Sequence, residues 1–291
     1  MKKVLAAGLM AAALSGCAGG AHPAPGASGT SQPTATVSTS AAGSSPAADQ
    51  PSAVGDIDGY KSVGKFFVSV LGLKFSCTAA VIGASVIVTA AHCFTGVFSG
   101  TRYSTTGWMF APMWHDNQFP YGKWTVRAVY LAQGWIKTFD PALDYAVVVL
   151  NPRAGRDISS YTGQDSWNPG FALAPGQSAP VRIVGIPLGG LKARVSLTRA
   201  DAVRAGPGLT VLRASTPGFG NGTSGGPWFD PFSTTTGTGT IVGLTGGYQE
   251  GGVSDTPSYA DFLSAPFAGL VAAAARSTAG CSSAGACRYW P

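Results

Sequence analysis

Residues 88–93 read V-T-A-A-H-C, so a short apolar run ends directly against a histidine and a cysteine. The run is rich in β-branched side chains and predicts a buried strand at residues 85–89, which places His92 at the end of that strand. The other two histidines are His22, in a segment rich in small and polar residues, and His115, in a polar loop. An isolated histidine beside a strand is usually a core residue with satisfied hydrogen bonds, so the partners of His92 decide its role.

The chain contains five cysteines, Cys17, Cys77, Cys93, Cys281 and Cys287. The short separations among the last four suggest two disulfide bonds, Cys77–Cys93 and Cys281–Cys287, in an exported chain. Zinc binding is the competing interpretation, but these cysteines lack paired C-x-x-C spacing and the chain has only three histidines. The sequence therefore predicts no metal site.

A glycine-rich stretch, G-N-G-T-S-G-G-P-W-F at residues 220–229, contains one serine, Ser224. A serine hydroxyl is a weak nucleophile at neutral pH and needs a base, together with a third group that orients the base. His92 is the candidate base. Asp144 is the candidate acid, because it directly precedes the apolar run 145–150 that would bury it beside the imidazole. Asp140 lacks such a run and precedes a proline, which is typical of a turn residue.

The motifs T-A-A-H-C, D-Y-A-V-V-V-L and G-T-S-G-G-P follow one another along the chain. In residues and order they resemble the motifs of the chymotrypsin/trypsin-like serine peptidases, and the resemblance extends over about residues 60–275. The stretch 114–124 is similar to the secreted bacterial, glutamyl-endopeptidase-like branch. The resemblance implies that His92 is base and then acid, that Asp144 orients it, and that Ser224 is the nucleophile that forms an acyl-enzyme.

Two properties of the loop around Ser224 follow from this resemblance. The backbone N–H groups of Gly222 and Ser224 are expected to form an oxyanion hole, and a side chain at position 222 would obstruct that turn. Thr223 stands where trypsin-type members carry an aspartate that pairs with a new N-terminal amine, and no I-V-G-G-type N-terminus occurs near residue 60. The sequence therefore gives no support to activation through that ion pair.

The same resemblance locates the primary specificity pocket. Its floor is expected at Gly218, followed by Phe219, and its opposite wall at Thr245, Gly246 and Gly247. An aspartate at the floor would have indicated cleavage after Arg or Lys, and a histidine near Thr245 would have indicated cleavage after Glu. Neither residue is present. We therefore expect an uncharged residue before the cleaved bond.

Glycine and proline are frequent, with 41 and 20 residues, and the apolar runs between them are short. This pattern predicts an all-β protein, either a barrel or a sandwich. The resemblance narrows the fold class to two antiparallel six-stranded β-barrels followed by a C-terminal helix. That helix is predicted at residues 262–276. The predicted strands are 64–70, 78–82, 85–89, 124–131, 145–150, 181–186, 194–197, 209–214, 228–229 and 240–245.

The first residues resemble the signal sequence of bacterial lipoproteins. Lys2 and Lys3 precede an apolar run too short to span a bilayer, and this run ends in L-S-G-C at Cys17. Such a lipobox predicts removal of residues 1–16 and a lipid on Cys17; an ordinary signal peptide that contains a cysteine is the alternative. Residues 17–55 lack aromatic side chains and predict a disordered tether, which leaves 56–291 as the peptidase domain.

Charge and motifs leave two classes of function. The formal net charge of +6 is scattered, without a basic stripe, so nucleic-acid binding is not expected. The favoured function is a monomeric serine endopeptidase that hydrolyses protein or peptide substrates without a metal or organic cofactor. We expect it to be exported and either anchored on the outer face of the cell membrane through Cys17 or secreted. The alternative is a non-catalytic binding protein, because a fold does not fix a function.

Overall fold

The structure, a computed structural model, describes residues 53–70, 73–95, 106–254, 256–277, 280–283 and 285–290. The predicted signal peptide, Cys17 and the predicted tether up to residue 52 lie outside these residues. No helix within the described ranges is long and apolar enough to cross a membrane.

Strands are the predominant secondary structure of the described chain, and most of them are short and joined by turns. They are β1 Ala53–Ile57, β2 Val63–Val70, β3 Leu73–Gly83, β4 Val86–Thr89, β5 Met109–Pro112, β6 Trp124–Ala132, β7 Ala146–Leu150, β8 Ser166–Trp167, β9 Ser178–Gly185, β10 Ala193–Gly206, β11 Leu209–Ala214, β12 Pro227–Ser233, β13 Thr238–Thr245, β14 Ser258–Phe262 and β15 Ala286–Trp290.

The helices are single turns or little more, apart from the last one. They are α1 His92–Thr95, α2 Gln133–Thr138, α3 Ser159–Thr162 and α4 Ala265–Ala275, with 3-10 turns at Pro141–Leu143 and Tyr248–Gly251.

The strands close into two barrels. The first has the strand order β6-β5-β2-β3-β4-β7 and is closed by the pairing of β6 with β7. The second has the order β10-β11-β14-β13-β12-β9 and is closed by the pairing of β9 with β10. Closure removes free edges, so the backbone N–H and C=O groups of each barrel pair within it. The fold class predicted from the sequence, two six-stranded antiparallel barrels, is confirmed.

A continuous apolar core joins the barrels. Its largest cluster contains Phe66 and Val148 of the first barrel and Val184 and Leu244 of the second, all of them buried. A smaller cluster around Trp228 fills the interior of the second barrel. Because apolar burial is favourable by about 25 cal/mol per Å², this shared core holds the barrels together. Loops of the two barrels therefore come together at the contact between the barrels.

The structure corrects the boundaries of two predicted segments. Strand β1 begins at Ala53 and pairs with β10, so residues 53–55, which were assigned to the disordered tether, are in fact ordered in a sheet. The C-terminal helix begins at Ala265 rather than at residue 262, because Phe262 still belongs to β14 and a proline occupies the first turn of the helix. Both errors lie at element ends, where local sequence signals are weakest.

Asp165 lies in the connection between the barrels and bonds to both. Its backbone N–H donates to Val81 of β3 at 2.8 Å, and its Oδ1 accepts from the N–H of Gly239 of β13 at 2.9 Å. The side chain is buried, and this burial raises the pKa of the Asp165 carboxyl to about 7, although the hydrogen bond from Gly239 acts in the opposite direction.

The raised pKa of Asp165 predicts how the stability of the protein depends on pH. Between about pH 4 and pH 7 the carboxyl is protonated in the folded state and ionised in the unfolded chain, so the free energy of unfolding falls as the pH rises through this window. In Asp165→Asn the free energy of unfolding should fall less steeply with pH, by up to about 1.4 kcal/mol per pH unit. Urea unfolding at several pH values measures the slope; exposed Asp201→Asn should retain it, and an unchanged slope in Asp165→Asn would contradict the assignment.

Candidate active site

Two paired strands of the first barrel bring His92 and Asp144 together. Strand β4 pairs with β7 so that Thr89 faces Ala146. His92 follows β4 at the start of α1, and Asp144 directly follows the 3-10 turn that leads into β7. Neighbouring ends of one antiparallel pair therefore carry the two side chains, which explains how residues 52 positions apart come into contact.

The carboxylate of Asp144 accepts hydrogen bonds from three groups. Its Oδ2 lies 2.6 Å from Nδ1 of His92 and accepts the N–H of Gly247 at 2.7 Å, while its Oδ1 accepts the backbone N–H of His92 at 2.8 Å. Both side chains are buried. With Nδ1–H donated to the carboxylate, the imidazole is held in the tautomer that leaves Nε2 free to accept a proton.

The surroundings of His92 act on its pKa in opposite directions. Burial lowers the pKa, because it disfavours the charged imidazolium, whereas the charge and hydrogen bond of Asp144 raise it, followed by the charge of Glu250. The net direction is upward, so the site favours a protonated histidine relative to free imidazole in water. This is the property required of a group that takes up a proton during a reaction.

Asp140 has a different task from Asp144, as the sequence predicted. Its side chain accepts the N–H of Ala142 at 3.0 Å and caps the 3-10 turn that begins at Pro141. Asp140 is therefore a turn residue, and the carboxylate in contact with His92 belongs to Asp144.

Both disulfide bonds predicted from the cysteine spacing are present. Cys93, next to His92 in α1, is bonded to Cys77 of β3, and Cys281 is bonded to Cys287. The first bond ties the turn that carries His92 to the strand from which Thr78 reaches the second barrel.

Thr78 was not identified from the sequence, yet it connects the two barrels at the site. Its backbone N–H donates to Ser224 O at 2.8 Å, and its hydroxyl donates to Gly222 O at 3.0 Å while accepting the N–H of Ile186 at 2.8 Å. Thr78 is fully buried. A polar residue directly after Cys77 in an apolar strand was the only sequence signal of this role.

The loop around Ser224 is also stabilised by hydrogen bonds within the loop itself. Thr223 is buried, and its hydroxyl oxygen lies 3.0 Å from Phe219 O and 2.7 Å from Gly220 O, to which it donates. Trypsin-type members carry an aspartate at this position for a pairing with a terminal amine. The hydroxyl of Thr223 holds the loop with neutral hydrogen bonds instead, and it needs no such charge partner.

Two amide groups of this loop point away from the backbone that supports it. The Asn221 carbonyl accepts the N–H of Leu188 at 2.7 Å, and the Thr223 carbonyl accepts the N–H of Gly226 at 2.8 Å. In a trans peptide the N–H points opposite to the C=O. The N–H of Gly222 therefore points away from Leu188, and the N–H of Ser224 points away from the amide of Gly226. Within the described chain neither of them donates to a backbone carbonyl.

Glycine is required at position 222 for two reasons. Its φ of +92° lies in the left-handed region, and a Cβ there would overlap the backbone N of Leu188. A side chain at position 222 would therefore obstruct this turn, as the sequence predicted.

The residues assigned to the specificity pocket fall into three places. Phe219 and Thr245 line a cavity of about 110 Å³ together with Ser224. Gly246 and Gly247 pack against acids instead: a Cβ on Gly246 would lie 2.9 Å from Asp144 Oδ2, and one on Gly247 would overlap the Asp261 carboxyl. Gly218 lies against the Arg194 side chain, at the edge of a different cavity.

Asp261 is a second buried carboxyl near Asp144 that the sequence did not reveal. It lies in β14, which pairs with β13 so that Asp261 faces Leu244. Burial, and next the charge of Asp144, raise the pKa of Asp261 well above its ordinary value. Its neutral form is therefore favoured, which avoids a second negative charge behind the acid that binds His92. A charged residue within an otherwise apolar strand was the available signal.

One cluster in the described chain has the composition of a metal site. Asp58, His115 and Asp116 place possible ligand atoms within 4.8 Å of one another. The ammonium group of Lys192 lies 2.8 Å from Asp58 and 3.7 Å from Asp116, so a cation of the protein itself already balances these exposed carboxylates. The cluster is an ion-pair network on the surface.

Comparison with known families agrees with this geometry. A sequence profile of the trypsin-like peptidase domain matches residues 77–244, more than half of the chain, including His92, Asp144 and Ser224. The chain belongs to this family.

Solved protease structures share the fold of this family member. Protease Anisep from Arthrobacter nicotinovorans gives a TM-score of 0.62 at 23% identity and covers 73% of this chain and 94% of that chain. The thermostable serine protease AL20 from an extremophilic microorganism gives 0.62 at 21%, covering 75% and 98%. A Glu endopeptidase gives 0.58 at 20%, covering 76% and 95%. At such identities the similarity establishes the fold alone.

A curated relative matches over a shorter segment. The extracellular metalloprotease of Bacillus subtilis (strain 168) is 28% identical over 87 residues, which are 30% of this chain and 27% of that protein. The match thus spans about a quarter of the length of that relative.

The hydrogen bonds of Thr78 predict a large effect of a small substitution. Thr78→Val keeps the shape but leaves the buried Gly222 carbonyl and Ile186 amide without their partner, so the free energy of unfolding should fall by about 1–3 kcal/mol. Thr78→Ser keeps the hydroxyl and should be clearly more stable than the valine variant. Urea denaturation of both variants checks this; equal stabilities would contradict the role assigned to the hydroxyl.

Proposed function

We propose that the chain is a serine endopeptidase that hydrolyses peptide bonds through His92, Asp144 and Ser224. The observation that carries the proposal is the buried contact between His92 Nδ1 and Asp144 Oδ2 in a member of this family. The disulfide bond from Cys93, the residue after His92, leads to strand β3, and Thr78 of the same strand is hydrogen-bonded to the Ser224 carbonyl. A histidine oriented in this way is what a serine needs to become a nucleophile.

In the proposed mechanism, Nε2 of His92 takes the proton of Ser224 as Oγ attacks the substrate carbonyl, whose electron pair moves onto the oxygen. Collapse of this tetrahedral intermediate breaks the C–N bond, and His92 gives the proton to the leaving amine. The acyl group remains on Ser224. Water, deprotonated by His92, then attacks the ester, and the serine recovers its proton as the acid is released.

The backbone N–H groups of Gly222 and Ser224 would bind the oxygen that becomes negative in this reaction. The N–H groups of Leu188 and Gly226 donate to the Asn221 and Thr223 carbonyls of the same two peptides and fix them before substrate arrives, so that little reorganisation is needed when charge develops. Loss of one such donor typically costs about 3 kcal/mol of transition-state stabilisation.

A fluorophosphonate probe, which reacts only with an activated serine, tests the proposal. The wild-type protein should be labelled, Ser224→Ala should not, and Ser233→Ala, an exposed serine in β12, should be labelled like wild type. Peptide hydrolysis by Ser224→Ala should fall on the order of 10⁶-fold. If the wild type remains unlabelled while circular dichroism shows it to be folded, the peptidase assignment fails and a binding function takes its place.

We further propose that the protein acts outside the cell as a monomer on proteins or peptides. The support is the sequence alone: a lipobox that ends at Cys17, a segment up to residue 52 without aromatic side chains, and the absence of a basic stripe for nucleic acid. A single lipid chain binds membranes reversibly, whereas several chains on one residue anchor it stably.

Cys17→Ser tests the lipid anchor in cells of the source organism. The variant should lose its acyl groups, as measured by mass spectrometry of the N-terminal peptide, and should move from the membrane to the soluble fraction. Retained membrane partitioning of Cys17→Ser would show that the protein is held there by something other than lipid.

A further inference from the structure

The cavity beside Ser224 has one acidic or basic residue among the described residues that line it, Glu250. The other lining residues are uncharged: Phe219, Gly220, Asn221, Thr223, Ser224, Thr245, Gly251, Gly252, Val253 and Ser254. A side chain that enters this cavity from a substrate therefore meets backbone groups, hydroxyls and a single negative charge.

The fold holds Glu250 in a specific conformation. Gln249 and Glu250 both have left-handed backbone angles, with φ of 54° and 53°, although neither is a glycine. Two backbone hydrogen bonds, from Glu250 N–H to Gly247 O and from Gly252 N–H to Gln249 O, both 2.9 Å long, keep the turn in this form. Such a conformation costs roughly 1–3 kcal/mol per residue and recurs at ligand-binding sites.

The same turn connects Glu250 to the centre of the site. Gly247, the carbonyl partner of Glu250, donates its own N–H to Asp144 at 2.7 Å. The charge of Glu250 also raises the pKa of His92, so its field reaches the histidine. Glu250 thus lines the cavity beside Ser224, and its charge acts on His92, so a substrate cation in the cavity would be attracted beside the bond to be cleaved.

A basic group that lines a neighbouring cavity is already paired with an acid. Arg194 packs against Gly218, the position expected for the pocket floor, and its Nε donates to Asp56 Oδ1 at 3.0 Å. Arg194 and Gly218 line a separate cavity that does not include Ser224. Among the residues described, no cation therefore lines the cavity beside Ser224 to attract an acidic side chain.

We propose that Glu250 is the specificity-determining residue of this protein and selects substrates with a lysine or arginine side chain on the acyl side of the cleaved bond. The carboxylate binds the cation at the rim of the cavity, whereas Gly218, the position expected for the pocket floor, lies outside this cavity. This proposal rests on the proposed peptidase function. It replaces the uncharged preference expected from the sequence, and it differs from the preference named for the structurally similar Glu endopeptidase.

Hydrolysis of three peptides that differ only in the residue before the cleaved bond tests the proposal. Lysine carries the cation, norleucine has nearly the same shape without charge, and glutamate has the opposite charge. Wild-type kcat/KM should be about five-fold higher for lysine than for norleucine, as for a solvent-exposed ion pair, and lowest for glutamate. The ratio should decrease as salt screens the charge. Equal rates for lysine and norleucine would overturn the proposal.

Substitutions at position 250 separate charge from shape. Glu250→Gln should bring the lysine-to-norleucine ratio to about one, because glutamine keeps the size and tolerates the backbone angle that Gln249 already adopts. Glu250→Lys should favour glutamate over lysine. Asp201→Asn, an exposed acid outside the cavity, changes the net charge equally and should keep the wild-type ratio.

Fluorophosphonate labelling of each variant distinguishes the two possible failures. A variant that is labelled at the wild-type rate but keeps the lysine preference shows that Glu250 does not select the substrate, while the peptidase function stands. A folded wild-type protein that is neither labelled nor active shows that the peptidase function itself is wrong.

Discussion

The site depends on the hydrogen bonds that Thr78 of the first barrel makes to the loop of the second. Its N–H and hydroxyl hold the carbonyls of Ser224 and Gly222, so the loop that carries the serine is fixed to the strand next to the Cys77–Cys93 bond. Because His92 stands beside Cys93, one strand sets the position of both the histidine and the serine loop. A shift of one barrel against the other would leave these buried groups without hydrogen-bond partners, which is unfavourable.

Negative charge is distributed unevenly around this junction. Asp144 is surrounded by donors, including His92 and Gly247, and can carry its charge in a buried place. Asp261, also buried nearby, has its pKa raised and favours the neutral form. Glu250 is exposed and lines the cavity beside Ser224. Asp144 thus orients the histidine, Asp261 is buried with its neutral form favoured, and Glu250 lines the cavity.

Local patterns were sufficient for most of the fold. The run before His92 and the run after Asp144 are β-branched and buried, and they form β4 and β7 as predicted. The strand predicted at 194–197 proved much longer, since β10 continues to Gly206 through alternating polar residues whose pairing with β9 and β11 compensates their weak strand propensity. Such long-range pairing leaves little trace in a local window.

The sequence by itself determined the family, the closed antiparallel barrels, both disulfide bonds and the candidate residues His92, Asp144 and Ser224, because each rests on contiguous motifs or short spacings. Tertiary structure alone decided what surrounds them. It placed the hydrogen bond from Thr78 to the serine loop, the burial that favours neutral Asp261, and the separation of Gly218 from the cavity that Glu250 lines. These are contacts between residues far apart in the chain, and burial and charge there follow from how the barrels meet.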